Sequence, residues 1–200
     1  GKRVVVLLEL FARFDEEQNV EYSELLQREG VKVIHGVNGL KVHSKLVLVE
    51  RKDKSYAYIG TGNFNENTAR IYGDFGLFTS NQQIVADARS VFDFLLNTHK
   101  HFKCKQLMVS PYYMRDQFYE LIEKEIKNAK SGKKAYIYAK FNSLTDEDII
   151  EMLYRASQAG VEIRLIIRGA FCLQPQVEGV SENIKAISIV DRYLEHARLC

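Results

Sequence analysis

The apolar positions of this chain arrive in short runs with two different periods, and the periods predict its elements in order. Val4-Val5-Val6-Leu7-Leu8-Glu9-Leu10 is rich in β-branched residues and predicts a central strand of a sheet covered on both faces. From about Asn19, Val20, Leu25 and Leu26 predict a helix that ends at Gly30, and Val31-Lys32-Val33-Ile34 predicts the next strand. In Gly39 to Glu50, Leu40, Val42, Leu46 and Leu48 fall on even positions and Lys41, His43, Lys45 and Val47 on odd ones. A period of two predicts one buried strand with His43 and Lys45 side by side on one face. Ser55 to Ile59 follows a charged turn, Arg51 to Lys54, as its hairpin partner, and Phe75 to Thr79 predicts a further short strand. Ile84, Val85, Ala88, Val91, Phe92 and Leu95 then recur at helical spacing, which predicts a helix from Asn81 to Leu96.

A second unit starts near Gln106. Its pattern predicts a helix from Met114 to Lys130 closed by Ser131-Gly132, a strand from Ala135 to Phe141, and a helix running to Gly160 with Thr145 as N-cap and Asp148 at the third helical position. Val161 to Arg168 predicts another strand. Strand, acidic helix start, helix, Gly-Val, strand thus describes both Val4 to Ile34 and Ala135 to Ile167, an internal repeat. The repeat predicts a second histidine strand, and Ile187 to Arg198 supplies it, with His196 and Arg198 spaced as His43 and Lys45 are. The chain divides accordingly into 1–104 and 105–200.

Composition adds limits. With 46% hydrophobic residues over 200 positions the chain can bury a core, and a net charge of +2 is too small to argue for non-specific binding to nucleic acid or a membrane surface. Cys104, Cys172 and Cys200 form no pair with disulfide or zinc spacing, which fits a reducing cytoplasm. No apolar run approaches the roughly 20 residues that span a bilayer, and no signal peptide is legible. The start at Gly1 and the uncapped apolar end at Cys200 read as a stretch cut from a longer protein.

The polar residues that interrupt these runs suggest phosphate chemistry. Neutral imidazole is a competent nucleophile toward phosphorus, and Lys45 beside His43 would neutralise a transferred group. Gly60-Thr61-Gly62-Asn63-Phe64-Asn65 is a glycine-rich turn whose backbone N–H groups can point at an anion, with Asn63 and Asn65 as neutral donors. Charge-assisted contacts contribute roughly 1.5–3 kcal/mol each, so several together could supply orders of magnitude in rate. Arg13 and Arg168 fall at the carboxyl ends of equivalent strands, the ligand edge of open α/β sheets. Each residue also has a plainer reading: a structural strand histidine, an ordinary turn, surface ion pairs for the arginines, a core tyrosine at Tyr72. His99 and His101 read as exposed turn residues without partners for a metal. It is the conjunction with the repeat that favours chemistry.

His43-Ser44-Lys45 with Gly60-Thr61-Gly62-Asn63 resembles the signature of the phospholipase D superfamily, with Glu50 where that family has Asp. Four longer strings, Phe11 to Glu17, Gly39 to Lys45, Ile59 to Glu66 and Ser188 to His196, closely resemble the bacterial polyphosphate kinase family. The resemblance runs the whole length, and it implies two phospholipase D-like α/β domains with mixed sheets flanked by helices, both incomplete here. It implies reversible transfer of the ATP γ-phosphate to inorganic polyphosphate through a phosphohistidine, with Mg²⁺ accompanying ATP. By the same resemblance His43 is the phosphorylated residue and His196 the second essential histidine, which contacts the nucleotide and serves as acid or base. Tyr72 and Arg168 match ATP-contacting positions. Arg13 matches the Mg-phosphate cluster, where a guanidinium binds phosphate rather than metal, so no direct metal ligand is expected. Lys45 and Asn63 complete the phosphate site. The full-length enzyme is expected to be a homo-oligomer with no nucleic-acid partner, cytoplasmic or peripheral to the inner membrane, and the isolated stretch to be inactive. The rival readings are a phosphodiesterase or nuclease of the same superfamily, and a non-catalytic module that binds phosphate polymers.

Overall fold

The computed structural model describes residues 1–9, 16–99 and 102–200, with backbone alone for 16–18. Strand β1 (Val5–Leu8) runs parallel to β2 (Lys32–His35), with Val6 opposite Val33, and the connection between them carries helix α1 (Glu16–Arg28). Gly30 ends that helix at φ +78°, a left-handed conformation that glycine adopts without steric cost. The expectation of a central, doubly covered strand at Val4–Leu10 is corrected. Among the described residues, which leave out Leu10, β1 pairs with β2 alone and Val5 is 37% exposed, so its β-branched residues express strand propensity rather than burial on two faces.

β3 (Lys45–Val49), β4 (Tyr56–Gly60) and β6 (Gly76–Thr79) form an antiparallel sheet in that order, with Lys45 opposite Gly60 and Gly60 opposite Gly76. Helix α3 (Gln82–Leu96) covers one face through Val85 and Ala88, which pack on Ala57, Leu46 and Leu48. Asn81 caps α3, its Oδ1 accepting from Gln83 and Ile84 N–H at 3.0 and 3.2 Å. The other face, with Val47, Val49, Tyr56, Tyr58 and Phe78, is uncovered, and Phe78 is 80% exposed. Between β4 and β6 lie helix α2 (Glu66–Ile71) and the two-residue strand β5 (Tyr72–Gly73).

The second unit carries the larger core. β7 (Tyr136–Phe141), β8 (Glu162–Ile167) and β9 (Ile184–Ile187) are parallel and adjacent in that order, and α4 (Met114–Lys130) and α5 (Glu147–Gln158) contribute to the same apolar cluster. Val161, Ile163 and Ile184 have no exposed surface, and Ile122, Ile126, Ile150 and Leu153 face them from the helices. The N-cap of α5 is Asp146 rather than Thr145. Its Oδ1 accepts from Ile149 N–H at 3.1 Å and its Oδ2 from Arg115 at 2.6 Å, a pairing a threonine could not make.

Two features join the units. Asp87 of α3, only 5% exposed, accepts the N–H groups of Lys105, Gln106 and Leu107 on one oxygen at 2.9, 2.6 and 3.0 Å. The other is a correction of the expected histidine strand at Ile187–Arg198. β9 stops at Ile187, the chain leaves its sheet with Val190 92% exposed, and only β10 (Leu194–Glu195) is extended and paired. β10 pairs in parallel with β5 of the first unit, Leu194 opposite Tyr72 and Glu195 opposite Gly73. Among the described residues, no helix is long and apolar enough to cross a membrane.

Candidate active site

His43 lies in the irregular lead-in to β3, not within a strand as the alternation predicted, because ladder pairing begins only at Lys45. Its ring is exposed, and the preceding residue is tied down by Val42 N–H donating to Glu9 Oε2 at 3.2 Å. Lys45 is buried at 9% exposure. Its Nζ donates to the His43 carbonyl at 2.7 Å and lies 3.1 and 3.2 Å from the two ring nitrogens. The side-by-side placement of histidine and cation is therefore present, built by a turn of backbone rather than by pleat.

The glycine-rich turn has a second duty besides the one its composition suggests. A β-carbon at Gly60 would lie 2.4 Å from the Tyr58 hydroxyl, and one at Gly62 would lie 2.9 Å from Asp74 Oδ2. Thr61 spends its N–H on the Phe75 carbonyl at 2.9 Å, and its hydroxyl donates to Asp74 Oδ1 at 2.6 Å. The glycines thus make room for Tyr58 and Asp74, and the Thr61 amide is not free to meet an anion. Asn63 is half-buried in the turn, whereas Asn65 caps α2, accepting from Asn67 and Thr68 N–H at 3.0 Å each. Glu50 sits beyond the far end of β3, where it accepts from Arg89 at 2.6 Å on the surface.

Across the β5–β10 pairing, the second unit delivers His196 to Asp74. The His196 side chain is 7% exposed and its Nδ1 lies 2.7 Å from Asp74 Oδ1. An ionised carboxylate only accepts, so Nδ1 carries the proton and Nε2 is left as the free ring nitrogen. Tyr72 packs tilted against the His196 ring, centroids 4.8 Å apart at 36°. Arg198 folds back so that Nη1 donates to the His196 carbonyl at 2.7 Å. Arg168, just past the end of β8, is half-buried with its Nε enclosed and without a protein partner among the described residues.

These groups feel one another's charge. Burial pushes the His43 pKa down, and Lys45, Arg198, His196 and Lys41 push it further. Lys45 is lowered to about 8, first by burial and then by Arg198. Burial also lowers His196, with Arg198 and Arg168 adding to it and the Asp74 hydrogen bond opposing. Burial alone would raise Asp74, but donors Thr61 and His196 hold it below the usual carboxylate range. Burial and Arg168 depress Arg198. The result is a set of groups coupled through their charges: three cations, two imidazoles held toward neutrality and one ionised carboxylate already engaged.

His43, Lys45, Tyr72, Arg168 and His196 are thus gathered in or around one site, and Asn63 lies in the turn that packs against Asp74. Arg13 and His101 lie outside the described residues, and His99 is an exposed turn residue. The sequence reading missed Asp74, an ordinary-looking turn acid two residues after Tyr72, and gave Arg198 no role despite its spacing. Among the described residues no group of three or more His, Cys, Asp and Glu side chains is arranged to hold a metal ion.

Two α/β units, each bringing a histidine with a cation two residues on and joined by the β5–β10 pairing, define a class, and comparison with known proteins gives its family. Residues 1–101 match the family model described as polyphosphate kinase C-terminal domain 1, and residues 107–200 match polyphosphate kinase C-terminal domain 2. The chain belongs to the polyphosphate kinase family. It is 55% identical over 203 aligned residues to the polyphosphate kinase of Vibrio cholerae and 47% identical to that of Escherichia coli K12. All of this chain is covered in both, against 29% and 30% of those proteins. The crystal structure of polyphosphate kinase from Porphyromonas gingivalis superposes with a TM-score of 0.87 at 45% identity, over 99% of this chain and 34% of that one. The chain therefore spans about a third of the length of its relatives.

Proposed function

We propose that the intact protein moves the terminal phosphoryl group of ATP onto His43 and from there onto the end of a polyphosphate chain. What supports this reading is an exposed, neutral-leaning His43 coupled through charge to Lys45, Arg198 and His196, with Arg168 coupled to His196, in a member of the polyphosphate kinase family. In the first step a His43 nitrogen lone pair forms the N–P bond as the bond from Pγ to the bridging oxygen breaks. The electron pair leaves on the terminal oxygen of ADP. In the second, a terminal oxygen of polyphosphate attacks phosphorus, the N–P bond breaks and its pair returns to the imidazole. The chain grows by one phosphate.

In-line phosphoryl transfer asks for positioning and charge neutralisation more than for covalent chemistry by the protein. Lys45 sits against the nucleophile, and Arg168 and Arg198 bring guanidinium donors that suit phosphate oxygens. Contacts of this kind contribute about 1.5–3 kcal/mol each. His196, its Nδ1–H committed to Asp74, offers Nε2 to the oxygen that gains or loses charge. The donor set matches anionic oxygens, and the carboxylate bonded to its histidine, Asp74, is occupied by Thr61 and His196. In this reading magnesium enters as part of the Mg-ATP substrate.

The test is to incubate the intact protein with ATP labelled at the γ- or the α-phosphorus. The expected result is an acid-labile, base-stable label from the γ-position alone, absent in His43→Ala. Label from the α-position would point to diester chemistry, and absence of any label would overturn the phosphohistidine route.

A further inference from the structure

His196 and Arg198 reach the site on a segment, 194–199, that leaves its own sheet behind. On one side the segment is held by the first unit: β10 pairs with β5, Ala197 N–H donates to the Gly73 carbonyl at 2.9 Å, and His196 bonds Asp74. On the other side, among the described residues, every hydrogen bond from the second unit's sheet to this segment is made by one residue, Lys140. Lys140 stands on β7, the edge strand of that sheet. Its N–H donates to the Leu199 carbonyl at 2.8 Å, and its carbonyl accepts from Leu199 N–H at 3.0 Å. Its ammonium donates to Glu195 Oε2 in an ion pair whose side chains are 13% and 28% exposed.

The pair brackets the reactive residues. Glu195 immediately precedes His196 and Leu199 immediately follows Arg198, so Lys140 grips both ends of the stretch that delivers them. Removing a Lys–Glu pair from water costs desolvation that two apolar side chains would not incur, so such a pair is poor evidence for stability and better evidence for fixed geometry. A chain that swings out from one unit to complete a site on another needs such a fix. Misplacing a catalytic group by about 1 Å can cost on the order of 10²-fold in rate.

We infer that Lys140 is a positioning residue for phosphoryl transfer, setting the placement of His196 and Arg198 through its clamp on Glu195 and Leu199. The inference rests on the function proposed above, and it is tested in the intact protein. Lys140→Met is expected to lower kcat about 10- to 100-fold, with a smaller change in KM for ATP. Lys140→Arg is expected to stay within about threefold of wild type, and the exchange Lys140→Glu with Glu195→Lys to recover at least about tenfold over Lys140→Glu alone. Three results would each overturn the inference: a Lys140→Met kcat within about twofold of wild type, a Lys140→Arg variant as damaged as Lys140→Met, or a loss no larger than the lost folded fraction seen by circular dichroism. Should Lys140→Met fail to fold, Glu195→Gln, which keeps the shape of the pair, carries the same test. The two readings fail separately. An unlabelled wild type defeats the function, whereas the placement of His196 is read without turnover from its Nδ1–H proton resonance. That signal must shift or vanish in Lys140→Met, and an unchanged signal defeats the clamp.

Discussion

His43 and His196 are each followed two residues later by a cation, yet the two units hold them in contrasting ways. His43 stands exposed on irregular backbone, with Lys45 the one side chain bonded to its ring among the described residues. His196 is 6% exposed, fixed by Asp74 through Nδ1 and packed against Tyr72. A ring that accepts a covalent phosphoryl group needs open space around its nitrogen. A ring that orients a proton needs a fixed tautomer and a fixed plane. The repeat thus supplies one motif twice, and the surroundings of its copies suit the two different roles proposed for them.

The strongest way to break that contrast is to delete each ring. His43→Ala is expected to reduce polyphosphate synthesis on the order of 10⁴-fold or more and to abolish labelling, because the acceptor atom itself is gone. His196→Ala should cost less, about 10²- to 10³-fold, and should still acquire label slowly. Equal losses with neither variant labelled would remove the distinction. Next in size is Asp74→Asn, which leaves the shape but frees the His196 tautomer. A fall of about 10²-fold in kcat is expected, and a change under about threefold would mean that Asp74 does not orient the ring.

The pH profile of kcat/KM sharpens the comparison from the titration side. Both histidines are pushed below their ordinary pKa, so activity should rise through an acid limb below pH 6.5 as His43 loses its proton. Lys45, lowered to about 8, loses its charge above that value, so an alkaline limb should appear near there. Lys45→Arg should move the alkaline limb upward, since guanidinium keeps its proton. A wild-type profile flat through pH 8 would show that the Lys45 charge is dispensable. The smallest effect is expected at Glu50→Gln. Its surface pair with Arg89 lies beyond β3 and away from both rings, so kcat/KM should stay within about twofold and stability within about 1 kcal/mol.

Long periodic segments were legible in the sequence. Helix α4 falls on the predicted residues, and α3 begins one residue inside its predicted start because Asn81 is the cap. The strand reading of Gly39–Glu50 failed in its first half. Alternation there reports which residues face inward, but only pairing makes a strand, and nothing local announces that pairing starts at Lys45. The glycines of the turn fit an anion cradle and room for neighbouring side chains alike, because that composition serves both purposes. What decides is the position of Asp74 and Tyr58, which no local pattern reveals. The expected strand to Arg198 dissolved for a related reason: its partner, β5, lies in the other unit and is two residues long. His43, Lys45 and His196 could be nominated from spacing alone, whereas Asp74 could not, since its importance comes entirely from a partner 122 positions away.

That separation has a consequence for how the protein reaches its working state. Each unit can organise its own sheet through contacts over shorter stretches of chain, but the β5–β10 pairing and the Asp74–His196 bond must close a very long loop. Loop closure on that scale costs entropy before any contact repays it, and contacts of high sequence separation form slowly. Secondary structure should therefore return before the Asp74–His196 bond does in a refolding experiment, and during synthesis Asp74 must wait for nearly all of this chain to emerge before His196 can reach it.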